Sequence, residues 1–336
     1  MTTRLSILDL APLSEGMTVT EALQHSLTLA QAAENLGYTR YWVAEHHNMR
    51  GVASSATSVM LGYLAAGTTT LRLGSGGIML PNHSPLVIAE QFGTLASIYG
   101  DRIDLGVGRA PGTDGYAMRA MRRDMRASDD FPTDVQELQI LLGSPIENQV
   151  VIANPGLETH VPIYILGSSM FGAQLAAQLG LPYAFASHFA PDALVDAVTW
   201  YRNNFQPSAQ LDHPYVIAGV NALIADTDEQ ARFLFSSSIR RFAEFRRPGG
   251  SGMLKEPVEN IDEHVSPMEK QMANSMLRYA AVGSAETVRT SLEAFAELAQ
   301  ADELIVVTNT YDPADRLASY SALAEVMGVV PVGVGA

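Results

Sequence analysis

Leu71-Arg-Leu-Gly-Ser-Gly76, then Pro85-Leu-Val-Ile-Ala-Glu-Gln-Phe-Gly-Thr-Leu-Ala-Ser-Ile98, then Arg102-Ile-Asp-Leu-Gly-Val107: a short β-rich run, a helix-length run and a second β-rich run follow in close succession. Parallel strands need a crossover between them, usually a helix, so this succession predicts a parallel sheet covered by helices. The rhythm extends both ways. Upstream, Leu5 to Leu10 reads as a first strand, and Thr18-Val-Thr-Glu21 as a capping box. A helix follows to about Leu36, with apolar residues at 19, 23, 27, 30 and 33, and Gly37 stops it. Tyr41 to Glu45 is the second strand, and Ser54 to Ala66 a helix of small residues ended by Gly67.

Downstream, a fourth helix is expected near Thr133, where Thr133 and Gln136 are spaced as a capping box. Strands are expected at Pro162 to Leu166, Tyr183 to Ser187, Tyr215 to Ala225 and Glu303 to Thr308. Helices are expected at Ser169 to Leu179, Pro191 to Asn204, from Thr227 onward, and at Pro313 to Met327. Eight strands, each followed by a helix and with no linker-like stretch, predict one α/β domain over residues 1–336, a (β/α)8 TIM barrel. Arg246-Arg-Pro-Gly-Gly-Ser-Gly-Met-Leu-Lys-Glu-Pro257 breaks the rhythm. Its composition predicts a long mobile loop after strand seven, a lid over residues 246–265 on the catalytic face.

Composition narrows the function. The chain has 336 residues, 47% hydrophobic and 17% charged, with a formal net charge of −15 and no cysteine. So acidic a chain is repelled by phosphate backbones and anionic lipid, so no nucleic acid and no membrane partner is expected. Without cysteine, disulfides, thiolate metal sites and a cysteine nucleophile are excluded. The opening MTTRLSILDL lacks an apolar signal core, and no apolar run approaches the ~20 residues of a bilayer span, so a cytoplasmic protein is expected.

Four groups cluster at strand C-termini, where barrels place their chemistry. Glu45-His-His-Asn48 ends strand two. Strand alternation would send His46 and His47 to opposite faces, and zinc needs three or more convergent ligands, so no metal is expected. Leu73-Gly-Ser-Gly-Gly77 implies unusual dihedrals or close backbone approach to a ligand. Asp104-Leu-Gly-Val-Gly-Arg109-Ala-Pro-Gly112 has the wrong spacing for a dinucleotide fingerprint, but Arg109 at a strand end suits a phosphate. The alternative for Arg109 is a surface pairing with Asp104 or Asp114. Leu166-Gly-Ser-Ser169 turns into a helix whose N-terminal amides and hydroxyls form an anion site, or simply a serine cap. Arg109 and Ser169 lie on consecutive strands, so one phosphate can bridge them.

Taken in order, these residues resemble the bacterial luciferase-like flavin monooxygenases, single-chain alkanal-monooxygenase-like members above all. The matching runs are Tyr41-Trp-Val-Ala-Glu-His-His47, Gly74-Ser-Gly-Gly-Ile-Met-Leu-Pro81, Pro85 to Glu90, Gly106-Val-Gly-Arg109, Ile165-Leu-Gly-Ser-Ser169 and Gly283-Ser-Ala-Glu-Thr-Val-Arg289. The resemblance implies reduced FMN, provided by a separate flavin reductase, together with O2 and a small organic substrate. It implies that His46 is catalytic, that Glu45 lies beside the flavin, and that a cis bond joins Gly76 to Gly77 under the ring. It implies that Arg109 grips the phosphate with Gly167, Ser168 and Ser169. It also implies a homodimer in which His47 meets Glu90 of the other subunit, the alternative being that His47 pairs within its own subunit. This chain has Gly108 where luciferases proper carry cysteine, which speaks against light emission. Gly172 stands where the family has a second phosphate-loop hydroxyl. Two other readings share these residues: an F420-dependent hydride-transfer enzyme on the same barrel, and a flavin-binding protein without turnover.

Overall fold

The computed structural model describes residues 3–110, 112–244 and 250–330. Nine strands form: β1 (Arg4–Asp9), β2 (Arg40–Val43), β3 (Arg72–Met79), β4 (Ile103–Gly108), β5 (Ile163–Gly167), β6 (Tyr183–Phe185), β7 (Val216–Ile224), β8 (Ala281–Gly283) and β9 (Glu303–Val307). The helices are α1 (Val19–Leu36), α2 (Thr57–Ala66), α3 (Pro85–Tyr99), α4 (Gly115–Ala120), α5 (Phe131–Leu142), α6 (Met170–Leu179), α7 (Leu194–Asn204), α8 (Asp228–Glu244), α9 (Pro267–Met276), α10 (Ala285–Leu298) and α11 (Pro313–Val326). Strands β1 to β7 pair in order, β7 pairs with β9, and β9 pairs with β1, all parallel. That closes an eight-stranded TIM barrel. Strand β8 is outside the expected count: β7 runs past the barrel, and its last three residues pair with Ala281–Gly283.

Sequence alternation builds the two layers. Leu8, Trp42, Tyr164, Ile217 and Ile305 fill the barrel interior. Their neighbours Ile7, Tyr41, Ile165, Val216 and Val306 pack outward beneath the helices. Adjacent strand residues point to opposite faces, so each strand feeds both cores at once. The barrel floor is ionic. Arg40, which opens β2, donates from Nε to Glu303 Oε1 at 2.8 Å and from Nη1 to Asp104 Oδ2 at 2.7 Å. Tyr164 accepts from the same Nη1 at 2.8 Å, and Tyr215 donates to Glu303 Oε2 at 2.7 Å. Every charge of this buried group has an opposite charge in contact.

Local signals account for most helix ends. Thr18 and Glu21 form the expected capping box of α1, and Gly37 closes it in the left-handed conformation at φ 88°. Helix α5 starts at Phe131, earlier than the expected box at Thr133, because Pro132 in the first turn is already set at helical φ. Helix α2 starts at Thr57, since Ser54 and Ser55 spend their hydroxyls on the carbonyls of Leu10 and His46. Residues 246–249 of the expected lid lie outside the described residues. The part from 250 onward follows α8 and is tied down. Leu254 exchanges backbone hydrogen bonds with Leu13 and Glu15 at 2.9 and 2.8 Å, and Ser237 and Ser236 hold Lys255 and Val258. Among the described residues no helix is long and apolar enough to cross a membrane.

Candidate active site

The C-terminal strand ends open into one cavity of about 1700 Å³. That exceeds the ~300–1,000 Å³ typical of a drug-sized ligand, leaving room for a cofactor and a second molecule. Its walls include His46, Gly76, Gly77, Arg109, Gly167, Ser168 and Ser169, so seven of the eight anticipated site residues meet in one space.

Glu45 is the exception. It is buried and does not itself line the cavity, though its neighbours His46, His47 and Met79 do. Its Oε1 is 2.7 Å from His47 Nε2 and 2.8 Å from His83 Nε2, and its Oε2 accepts the Met79 amide at 3.1 Å. Burial pushes the carboxyl up, but these hydrogen bonds outweigh it and hold Glu45 below the usual carboxylate range. The placing of His47 is corrected. Strand β2 ends at Val43, so alternation does not reach positions 46 and 47, and both histidines line the cavity. Within its own chain His47 is bonded to Glu45. His83 was missed by the sequence reading. With Glu45 and His47 it brings three metal-type ligand atoms within 4.8 Å, but the two His–Glu distances are those of hydrogen bonds.

His46 Nδ1 is buried without a hydrogen-bond partner. Burial above all, then the charge of Arg241, pushes its pKa down to about 4, so the imidazole is neutral near pH 7. A third histidine faces the same space. His188 follows β6, its Nδ1 is likewise unpartnered, and burial lowers its pKa to about 4. Its place just beyond a strand C-terminus was the one sequence signal that marked it.

The phosphate candidates converge from β4 and α6. The Arg109 guanidinium stacks on the Phe171 ring at 4.2 Å and makes no ion pair among the described residues. Neither sequence alternative for it is realised: Asp104 serves Arg40 and Arg72, and Asp114 caps α4 and accepts from Asn48. Ser169 is the N-cap of α6, yet its side chain makes no capping bond. A cation, hydroxyls and first-turn amides are thus unspent at one end of the cavity. The bond between Gly76 and Gly77 is cis, as expected. A Cβ at Gly76 would fall 2.6 Å from Leu8 Cδ1, and one at Gly77 2.8 Å from the Gly106 carbonyl, so only bare backbone fits there.

The model of the family described as luciferase-like monooxygenase matches residues 3–301. A luciferase-like monooxygenase of Escherichia coli (strain K12) is 51% identical over 322 residues, covering 96% of each chain. The chain belongs to the luciferase-like monooxygenase family. Among solved structures, apo-MsnO8 is 35% identical, covers 98% of this chain and 99% of its own, and superposes with a TM-score of 0.88. A type II Baeyer–Villiger monooxygenase, the oxygenating constituent of 3,6-diketocamphane monooxygenase of Pseudomonas putida in complex with FMN, shares the fold at a TM-score of 0.72. It is 17% identical and covers 98% of this chain and 99% of its own.

Within this luciferase-like chain, the glycine at 172 has a packing reason. A Cβ there would meet the Tyr183 ring at 3.1 Å, and Tyr183 itself donates to the Ser169 carbonyl at 2.9 Å. The tyrosine fills the space that a second phosphate-loop hydroxyl would need.

Proposed function

We propose that this protein is an FMN-dependent monooxygenase, a single barrel domain that oxygenates a small organic substrate with reduced flavin delivered by a separate reductase. The observation that carries the reading is the unpaired Arg109 set against the unspent Ser168–Ser169 turn, in one cavity with His46. Arg109, with the α6 N-terminus, grips the phosphate; Gly76, Gly77 and Gly167 give the flat ring a wall of backbone. When bound, reduced FMN would supply the two electrons with which one atom of O2 enters the substrate and the other forms water. The chain's own part is positional. Glu45 holds His47, His83 and the Met79 amide in place beside the cavity. His46, neutral and unpartnered at Nδ1, accepts or passes a proton there. The buried walls keep water from the reacting groups.

The same reading includes a homodimer. Val59, Tyr63, Val87 and Ile98 leave apolar surface exposed on α2 and α3, where a second copy would cover it. A monomeric mass at micromolar concentration removes this part.

Flavin titration tests the core of the proposal. Arg109→Ala weakens FMN binding by ~2–3 kcal/mol, the size of a charge-assisted contact. Reconstitution with reduced FMN and with reduced F420 in parallel identifies the carrier. Unchanged FMN affinity in the variant, or turnover with F420 alone, overturns the assignment.

A further inference from the structure

Four arginines are buried among the described residues: Arg40, Arg102, Arg241 and Arg316. Three are compensated. Arg40 meets Asp104 and Glu303, Arg316 meets Asp9 at 2.8 Å, and Arg102 donates into the carbonyls of Ala65, Thr68 and Leu71. Arg241 is different. It is only 9% exposed, its Nη1 is buried without a partner, and it makes no ion pair or hydrogen bond among the described residues. It lines the same cavity as His46 and His188.

Among the described residues nothing neutralises it. His46 and His188 are uncharged near neutral pH. Of the acids that line the cavity, Asp114 is a helix cap held by Asn48, Asp192 pairs with Arg278, and Asp129 is exposed. Arg241 lies in the last turn of α8, whose carbonyl end offsets only a fraction of a unit charge. Burial, and then the like charge of Arg316, push the guanidinium pKa down to about 10, so it stays cationic at pH 7. A buried charge without a partner is costly, and a bound counter-ion removes that cost.

We propose that Arg241 binds a compact oxyanion carried by the substrate, a carboxylate or a sulfonate, so that the substrate class is anionic. The inference rests on the cavity being the oxygenation site, and it assigns Arg109 and Arg241 separate anions: phosphate to Arg109, substrate to Arg241. A planar guanidinium grips either oxyanion through paired hydrogen bonds. An anchor of this kind fixes one end of the substrate and leaves its apolar part toward the buried walls.

Calorimetric binding of hexanoate, 1-hexanesulfonate and 1-hexanol, to the protein without flavin and with oxidised FMN, tests the proposal. Both anions should bind ~10-fold or more tighter than the alcohol, the effect of one charge-assisted contact. Arg241→Met should abolish that preference while FMN affinity stays within about threefold, and Arg241→Lys should keep part of it. Thermal melting of Arg241→Met at or above the wild-type value shows that the variant is folded. Equal affinity for anion and alcohol overturns the proposal, as does an anion preference that survives Arg241→Met but is lost in Arg109→Ala. A large loss of FMN affinity in Arg241→Met makes the residue a flavin contact and overturns it too. If FMN fails to bind the wild-type protein, the oxygenase reading falls, and the anion preference of the flavin-free protein is still scored on its own.

Discussion

The two ends of the barrel treat charge in opposite ways. At the floor, Arg40, Asp104 and Glu303 are buried, and each has its partner within 3 Å. At the mouth, Arg241, His46, His188 and Asn309 each leave a buried polar atom without a bond. Native structures satisfy the large majority of buried polar groups, so a cluster of exceptions marks a surface that meets something else. Matched charges at one end give rigidity; unmatched polar atoms at the other give capacity to bind and react.

The sharpest way to break this contrast is to spoil the floor. Glu303→Ala strands Arg40 beside Asp104 alone and frees Tyr215, so unfolding stability should fall by ~3–5 kcal/mol. Urea denaturation measures it, and a loss under ~1 kcal/mol would mean that the floor pairing stabilises little. At the mouth the cost should fall on turnover. His46→Ala should retain FMN and stability but lower product formed per reduced flavin by ~10²-fold or more. Full turnover in that variant would remove His46 from the chemistry.

A smaller effect appears in acid. His46 and His188 titrate near 4 in the folded protein, against 6.5 for an ordinary histidine. Between those values the unfolded chain binds protons that the folded chain refuses. Stability therefore falls as pH drops from about 6.5 to about 4, by up to ~1.4 kcal/mol per pH unit for each histidine, and this contribution levels off below 4. His188→Gln should remove about half of that slope in denaturation series at stepped pH. A slope identical to wild type would show that His188 is protonated normally.

The barrel was legible because eight strands and their crossover helices repeat on one period, and Gly37 or the Thr18 box punctuate it without help from tertiary structure. Strand β8 was not legible: Ala-Val-Gly is too short to carry an alternation. Helix α9 was passed over although Ser266 and Glu269 form a capping box, because Gly and Pro upstream dominated the reading. The glycines, Arg109 and the Ser168–Ser169 turn could be placed since each sits at the end of a recognisable strand. His47 was misplaced because alternation was carried four residues past the end of β2. Arg241 was invisible for a different reason. It lies within a helix, where an arginine at the core-facing end of a pocket and one in water have the same local sequence.

The strap from Gly250 to Val258 deserves a last consequence. Gly250, Ser251 and Gly252 line the cavity, and Leu254 is laced to the loop after β1 by main-chain bonds, while Gly51 sits so close that a Cβ there would strike the Gly252 carbonyl at 1.9 Å. Main-chain bonds do not read side chains. The wall facing the cavity can therefore accept a new residue at 250 without unlacing, which makes it a place where substrate preference can drift, or be redesigned, while the barrel frame stays unchanged.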